Sequence, residues 1–278
     1  MNFQSTLLRT PALFLVSALV FSSCHKSETS NGGNPVNNSY LASARSFAPG
    51  YLTVDSFIYD ASHNVAKFVQ YQVDSANSRT DTIYTNFTYS GSSTLPTGYT
   101  TTYSSGIPDP HQLTFDGQGR ITKDTSLNGY GFVTYFTYPG NYIISETLYQ
   151  GAVTDASVDT LTVSNGDVTG EKVWGTNQGS WEKQIDFSFV RASAANPGYK
   201  DHIASTIGPL LYVLDSYNYS AYGDYTSKTV ISKLSGTAWG IPGSITYNAS
   251  LDGSGRVSAI TPTGIGVPAG TTTMFTYY

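Results

Sequence analysis

Leu113-Thr114-Phe115-Asp116-Gly117-Gln118-Gly119-Arg120-Ile121 holds a strand end, a turn and a return strand in nine residues. Leu113 and Phe115 alternate with Thr114, the period-two pattern of a pleated strand with one face in a core. Asp116 brings a carboxylate that can accept hydrogen bonds from backbone amides in the turn, and Gly117 and Gly119 are expected to supply positive φ. Arg120 and Ile121 open the return strand. The same design recurs at Ser250-Leu251-Asp252-Gly253-Ser254-Gly255-Arg256-Val257, and more loosely at Phe57-Ile58-Tyr59-Asp60 with Asn64-Val65. Each unit reads as one hairpin. Asp116, Gly117, Gly119, Arg120, Asp252, Gly253, Gly255 and Arg256 are accordingly assigned to structural turns.

Outward from these hairpins the alternation continues, broken by turn residues every 8 to 12 positions or so, which predicts an antiparallel β-meander. Val65, Val69, Tyr71 and Val73 share a face with Lys67, and Ile83, Phe87 and Tyr89 share another. Phe132 to Tyr138 stops at Pro139-Gly140-Asn141, and Tyr142-Ile143-Ile144 resumes. Asn165-Gly166, between Asp159–Val163 and Val168–Trp174, is a two-residue hairpin signal. From Trp181 to Val190, the residues Trp181, Lys183, Ile185, Phe187 and Phe189 fall on one side. His202 to Leu214, divided by Gly208-Pro209, is the one stretch read as helical or irregular. Composition agrees with an all-β chain: 22 Tyr, 13 Phe, 27 Gly and only 12% charged residues, the profile of pleated half-buried surfaces joined by short turns.

The N-terminus has a different character. Arg9, the apolar run Leu13 to Phe21 and the small pair Ser22-Ser23 precede Cys24, the only cysteine. The apolar run is too short for a bilayer span but fits the core of a secretory signal. Val20-Phe21-Ser22-Ser23-Cys24 resembles a bacterial lipobox, with Phe21 in place of the usual aliphatic residue. The expected organisation is a signal peptide at residues 1–23, an acylated Cys24 with a flexible tether over 24–50, and a single β domain over 51–278. Lys26 and Glu28 faintly resemble a surface-export signal, and a solvated linker explains them equally well. Removing the signal with Arg9 takes the formal charge from −5 to −6, which argues against a nucleic-acid partner.

The three Asp-turn segments resemble the YD-type repeats of bacterial surface proteins. More closely, residues 50 to 278 resemble an uncharacterised family of Bacteroidota lipoproteins with a porin-like fold, including the closing Met274-Phe275-Thr276-Tyr277-Tyr278. The resemblance implies a curved antiparallel sheet or barrel and carries no established activity. A membrane-spanning barrel would show an apolar outward face on every strand. Thr, Ser, Asp and Gln at many alternate positions instead favour a soluble barrel or strongly coiled sheet.

No catalytic pattern is found. His63 and His111 fall in or beside predicted turns and His202 beside the irregular segment, so exposed loop histidines are expected rather than metal ligands. Asp116 to Arg120 and Asp252 to Arg256 lack the ligands of a calcium loop. No G-x-S-x-G elbow occurs. Glu182 and Asp186, on one face with Gln184 between them, would have backbones roughly 13 Å apart, wider than the roughly 5 to 10 Å of a glycosidase pair. No metal or cofactor is expected. What remains are the tryptophans Trp174, Trp181 and Trp239, each beside Gly or Ser, which could form an aromatic platform or could plug the end of the core. The expectation is a lipid-anchored, non-catalytic binding or scaffolding protein of the cell envelope, joined to the membrane through its N-terminal lipid, with a glycan or an outer-membrane protein as partner. A glycan-binding lipoprotein assisting polysaccharide uptake and an envelope hydrolase are the alternatives.

Overall fold

The computed structural model describes residues 40–278 apart from 75–78, 105, 129–130, 150–151, 178–179, 198, 201–202, 204–205, 215–225 and 265. Cys24, the signal segment and the tether as far as residue 39 lie outside the described residues, as does His202. The described strands are β1 (Leu41–Ala48), β2 (Tyr51–Tyr59), β3 (Val65–Asp74), β4 (Arg79–Tyr89), β5 (Pro96–Thr102), β6 (Pro108–Phe115), β7 (Ile121–Ser126), β8 (Phe132–Thr137), β9 (Tyr142–Tyr149), β10 (Ala152–Ser164), β11 (Asp167–Asn177), β12 (Ser180–Ala195), β13 (Thr229–Ala238), β14 (Ile241–Leu251), β15 (Val257–Gly264) and β16 (Thr272–Tyr277). Each pairs with its sequence neighbour, and β1 pairs with β16, so the meander is a closed barrel. The all-β antiparallel expectation holds, and closure selects the barrel over the open curved sheet.

Closure also corrects one boundary. Leu41–Ala48, placed above in the flexible tether, is the strand β1 that seals the barrel, antiparallel to β2 and to β16, with Ala44 opposite Phe275 and Ser46 opposite Thr273. Ser43 and Ser46 reach across to Thr276 and Thr273 through hydroxyl hydrogen bonds of 2.8 and 2.9 Å. Small and hydroxylic residues here looked like linker, and the partner that gives them a strand conformation lies at the far end of the chain.

The barrel has two unlike ends because its strands alternate in direction. At one end lie the turns after β2, β6, β10 and β14. Inward-facing side chains near this end are apolar: Phe57, Phe68, Phe87, Leu113, Ile121, Phe136 and Phe275 form one core with Leu41, Val257 and Ile260. Toward the other end the same strands change character. Phe57 gives way to Asp55, Phe68 to Gln70, Phe87 to Thr85, Leu113 to His111, and Ile121 to Asp124, all buried. The irregular segment contributes to the apolar half. Gly208–Leu214 is a short helix, α1, with Pro209 in its first turn, where a missing N–H costs nothing. Leu210 and Leu211 are wholly buried in the strand core together with Ile203 and Ile207. A seven-residue helix is marginal alone, so packing holds it.

The three Asp turns share one geometry. Asp116 Oδ1 accepts from the Gln118 and Arg120 amides and Asp252 Oδ1 from the Ser254 and Arg256 amides, while each arginine's Nε donates to Oδ2 of its aspartate. Asp60 repeats the pattern with Ser62 and Asn64. The amide of Arg120 or Arg256 is the main reason the corresponding carboxyl titrates below its ordinary range. Only half of the glycine assignment survives. Gly119 and Gly255 have φ of 78° and 76° and His63 takes the equivalent place at 63°, whereas Gly117 and Gly253 are not in the positive-φ region. One left-handed residue is enough to reverse the chain in this turn. A tyrosine at or just past the end of a nearby strand then caps each return strand: Tyr89 donates to Val65 O, Tyr138 to Ile121 O and Tyr277 to Val257 O. Arg120 and Arg256 lie 4.4 and 4.7 Å over the Tyr138 and Tyr277 rings.

Candidate functional site

The other end of the barrel gathers the tryptophans. Opposite Val173 stands Ile185, but opposite Trp174 stands Lys183, so Gln184 is an extra residue in β12, a β-bulge. Such an insertion reverses which side chains face out beyond it. The bulge overturns the expectation that Trp181 and Lys183 share a face with Ile185 and Phe187. Ile185 is buried, whereas Trp181 and Lys183 are exposed on the outer wall. Lys183 Nζ donates to Asp186 Oδ2 at 2.7 Å across the bulge, an approach that unbroken alternation would forbid. That bond is the principal cause holding Asp186 below its ordinary pKa. Glu182 and Asp186 therefore do not form the face read from strict alternation.

Trp239 completes the arrangement. It sits with Gly240 in a two-residue turn between β13 and β14, with φ of 48° and 75°, and its amide donates to the carbonyl of the bulged Gln184 at 2.6 Å. Together these residues wall a cleft of about 430 Å³ lined by Thr176, Glu182, Lys183, Gln184 and Trp239. Gly175 makes room for the Gln184 side chain, which lies where a Cβ at 175 would be. Trp174, Trp181 and Trp239 are 39%, 42% and 69% exposed, so they do not plug the core. Trp174 and Trp181 stand on the outer wall as diagonal neighbours, opposite Lys183 and Thr176 respectively.

A second cluster was missed in the sequence. His111 is not a loop residue: it is 5% exposed in β6, with Nδ1 at 2.8 Å from Asp124 and Nε2 at 3.3 Å from Asp109. Tyr99 donates to the other oxygen of Asp124 at 2.6 Å and stacks on the imidazole with ring centroids 4.3 Å apart. Ser126 Oγ lies 2.8 Å from Asp109. Burial alone would lower the His111 pKa, but hydrogen bonding and charge from Asp124, then Asp109, outweigh it and raise the value. Both ring nitrogens face carboxylates, and Ser126 is bonded to Asp109 rather than to His111. This is a clamp between strands and not the nucleophile-to-base pairing of an acyl-transfer site. The only sequence signal was inward alternation of Asp109, His111 and Leu113 along β6.

In β10 Asp159 is held well above its ordinary carboxylate range, first by burial and then by the charge of Glu171. No group of three or more His, Cys, Asp or Glu able to hold a metal ion occurs among the described residues.

The fold defines the class: a closed, up-and-down antiparallel β-barrel. No protein-family model matches the sequence, and no curated protein matches it. Solved structures similar in fold include two porin-like proteins. One is a porin-like protein from Bacteroides uniformis ATCC 8492, at 15% identity and a TM-score of 0.54, covering 86% of this chain and 98% of that one. The other is a porin-like protein from Bacteroides vulgatus ATCC 8482, at 11% identity and a TM-score of 0.55, covering 87% and 99%.

Proposed function

We propose that this protein is a lipid-anchored, non-catalytic barrel of the bacterial cell envelope that binds a partner at its tryptophan-bearing rim. The observation that carries the reading is Trp239, a large apolar side chain exposed beside a polar cleft. Anchoring through Cys24 rests on the sequence before it, and the porin-like fold of the Bacteroides neighbours agrees with an envelope setting. The barrel itself is read as standing at the membrane rather than crossing it. A crossing strand needs about 9 to 11 residues and an apolar outer band, whereas β7, β8 and β16 have six residues each. Outer positions also carry Lys67, Lys123, Lys172, Asp186 and Lys233, with threonine common between them.

Two measurements test the reading. Cys24→Ser should move the protein from the membrane fraction to the soluble fraction and abolish acyl labelling, and unchanged partitioning would remove the anchor. Screening the purified protein against immobilised glycans and outer-membrane proteins should find a partner whose retention falls with Trp239→Ala, Trp174→Ala or Trp181→Ala. Retention indifferent to all three would remove the rim.

A further inference from the structure

The turn that carries Trp239 has a counterpart in the same molecule. Asn165-Gly166 joins β10 to β11 at the opposite end with φ of 55° and 82°, and Trp239-Gly240 joins β13 to β14 with 48° and 75°. Both are two-residue hairpins whose central residues lie in the left-handed region. There asparagine and glycine are the residues the backbone favours, and a bulky side chain is an outlier. Trp239 thus occupies a position where turn chemistry selects asparagine, and its ring is 69% exposed to water. Neither backbone nor burial accounts for it, and strain of this kind gathers where side chains meet ligands. The adjoining bulge is bonded to the turn. It puts an extra residue, Gln184, at the cleft and leaves its carbonyl to the Trp239 amide.

The lining defines the ligand's chemistry. One aromatic face stands beside a carboxylate and an amide, Glu182 and Gln184, while the Thr176 hydroxyl is committed to the Ala156 backbone. Such a set suits a molecule with an apolar face and a rim of hydroxyls that both donate and accept. An apolar protein side chain would call for a more desolvated pocket. Lys183 is engaged by Asp186, and Glu182 opposes negative charge. Resting on the rim-binding reading above, we infer that the Trp239 cleft is a subsite for a neutral carbohydrate chain, with the indole against a sugar ring and Glu182 and Gln184 bonding its hydroxyls. Trp174 and Trp181 on the adjoining wall extend the surface for further units.

Titration calorimetry of the purified protein with maltohexaose, cellohexaose, xylohexaose and mannohexaose, and with a hexamer of galacturonic acid, tests this. Saturable binding of a neutral hexasaccharide is expected, weaker by about tenfold or more in Trp239→Asn and in Gln184→Ala, since each removes a direct contact. Trp239→Asn should melt no lower than the parent, which separates lost contact from lost fold. The inference is overturned if none of the neutral chains binds up to about 10 mM, if the acidic chain binds better, or if Trp239→Asn binds as the parent does. Retention of an outer-membrane protein that depends on Trp239, with no sugar bound, would overturn the carbohydrate reading and leave the rim reading standing. Trp174, Trp181 and Trp239 variants that change neither would overturn both.

Discussion

The two ends of this barrel obey different rules. At the Asp-turn end the turn chemistry agrees with the fold, His63 at φ 63° excepted: Asp116, Asp252 and Asp60 bond the amides of their own turns, Asn165-Gly166 takes the hairpin its residues prefer, and the side chains beneath are apolar. Register shifts adjoin turns at both ends, but at the tryptophan end the one in β12 re-aims Trp181 and Lys183, a tryptophan occupies an asparagine's backbone position, and the interior below β2 to β7 is polar. Consistency across levels is what specifies a fold, and natural chains break it where they carry function. On the function proposed above, one end holds the structure and the other end uses it.

Substitutions inside the barrel should separate the ends most strongly. Phe68 is wholly buried and stacks on Phe57 with ring centroids 4.8 Å apart, so Phe68→Ala should cost about 3–5 kcal/mol. Denaturant unfolding should give that loss nearly unchanged between pH 5.5 and 8.5. In the polar half the expected pattern is different. Asp124→Asn, which weakens the bonds to His111 and Tyr99 at once, should cost about 2–3 kcal/mol. The cost of His111→Gln should fall as pH rises. His111 titrates higher in the folded protein than its ordinary 6.5, so its stabilisation is complete below that pH and is lost as pH climbs through the folded value. A His111→Gln penalty independent of pH would show that the clamp is held without charge.

Much of the first end was legible because its information is local. An Asp, a left-handed Gly and an aliphatic residue lie within six positions, and Asn165-Gly166 announces its own turn. The rest depended on partners far along the chain. Leu41–Ala48 is a strand because β16 supplies its hydrogen bonds, and its composition alone resembles linker. His111 joins residues from β5 and β7 that alternation puts inside without saying which of them meet. The bulge at Gln184 leaves no mark in the alternation, which puts Trp181 and Lys183 on the face of Ile185 when the pattern alone is followed. The tryptophans could be named but not placed.

The turns offer a smaller and sharper contrast. Gly119→Ala and Gly255→Ala place a Cβ on a left-handed residue and should each cost about 1–2 kcal/mol, although space for the atom is available at both. Gly117→Ala and Gly253→Ala, with open space and no positive φ, should stay within about 0.5 kcal/mol of the parent. Asp252→Ala should cost about 1 kcal/mol, the usual scale for a side chain that satisfies turn amides. Thermal melts of the five variants would check the ordering, and equal losses at Gly117 and Gly119 would show that the turn needs flexibility rather than one left-handed residue.

The smallest expected effect has the opposite sign. Trp239→Asn replaces the outlier at one end with the residue used at the other, and it keeps the amide that donates to Gln184 O. Relief of left-handed strain is worth about 1 kcal/mol, set against the modest burial of a ring that is 69% exposed. The net change should lie between zero and about 1 kcal/mol of added stability. The reciprocal exchange, Asn165→Trp, should destabilise by about 1 kcal/mol or more, because it puts a bulky side chain on a left-handed residue where asparagine is favoured. Melting curves of the two variants therefore make the comparison reversible. If Trp239→Asn melts well below the parent, the tryptophan supports the rim structurally, and the division between an end that holds the fold and an end that uses it no longer runs through this turn.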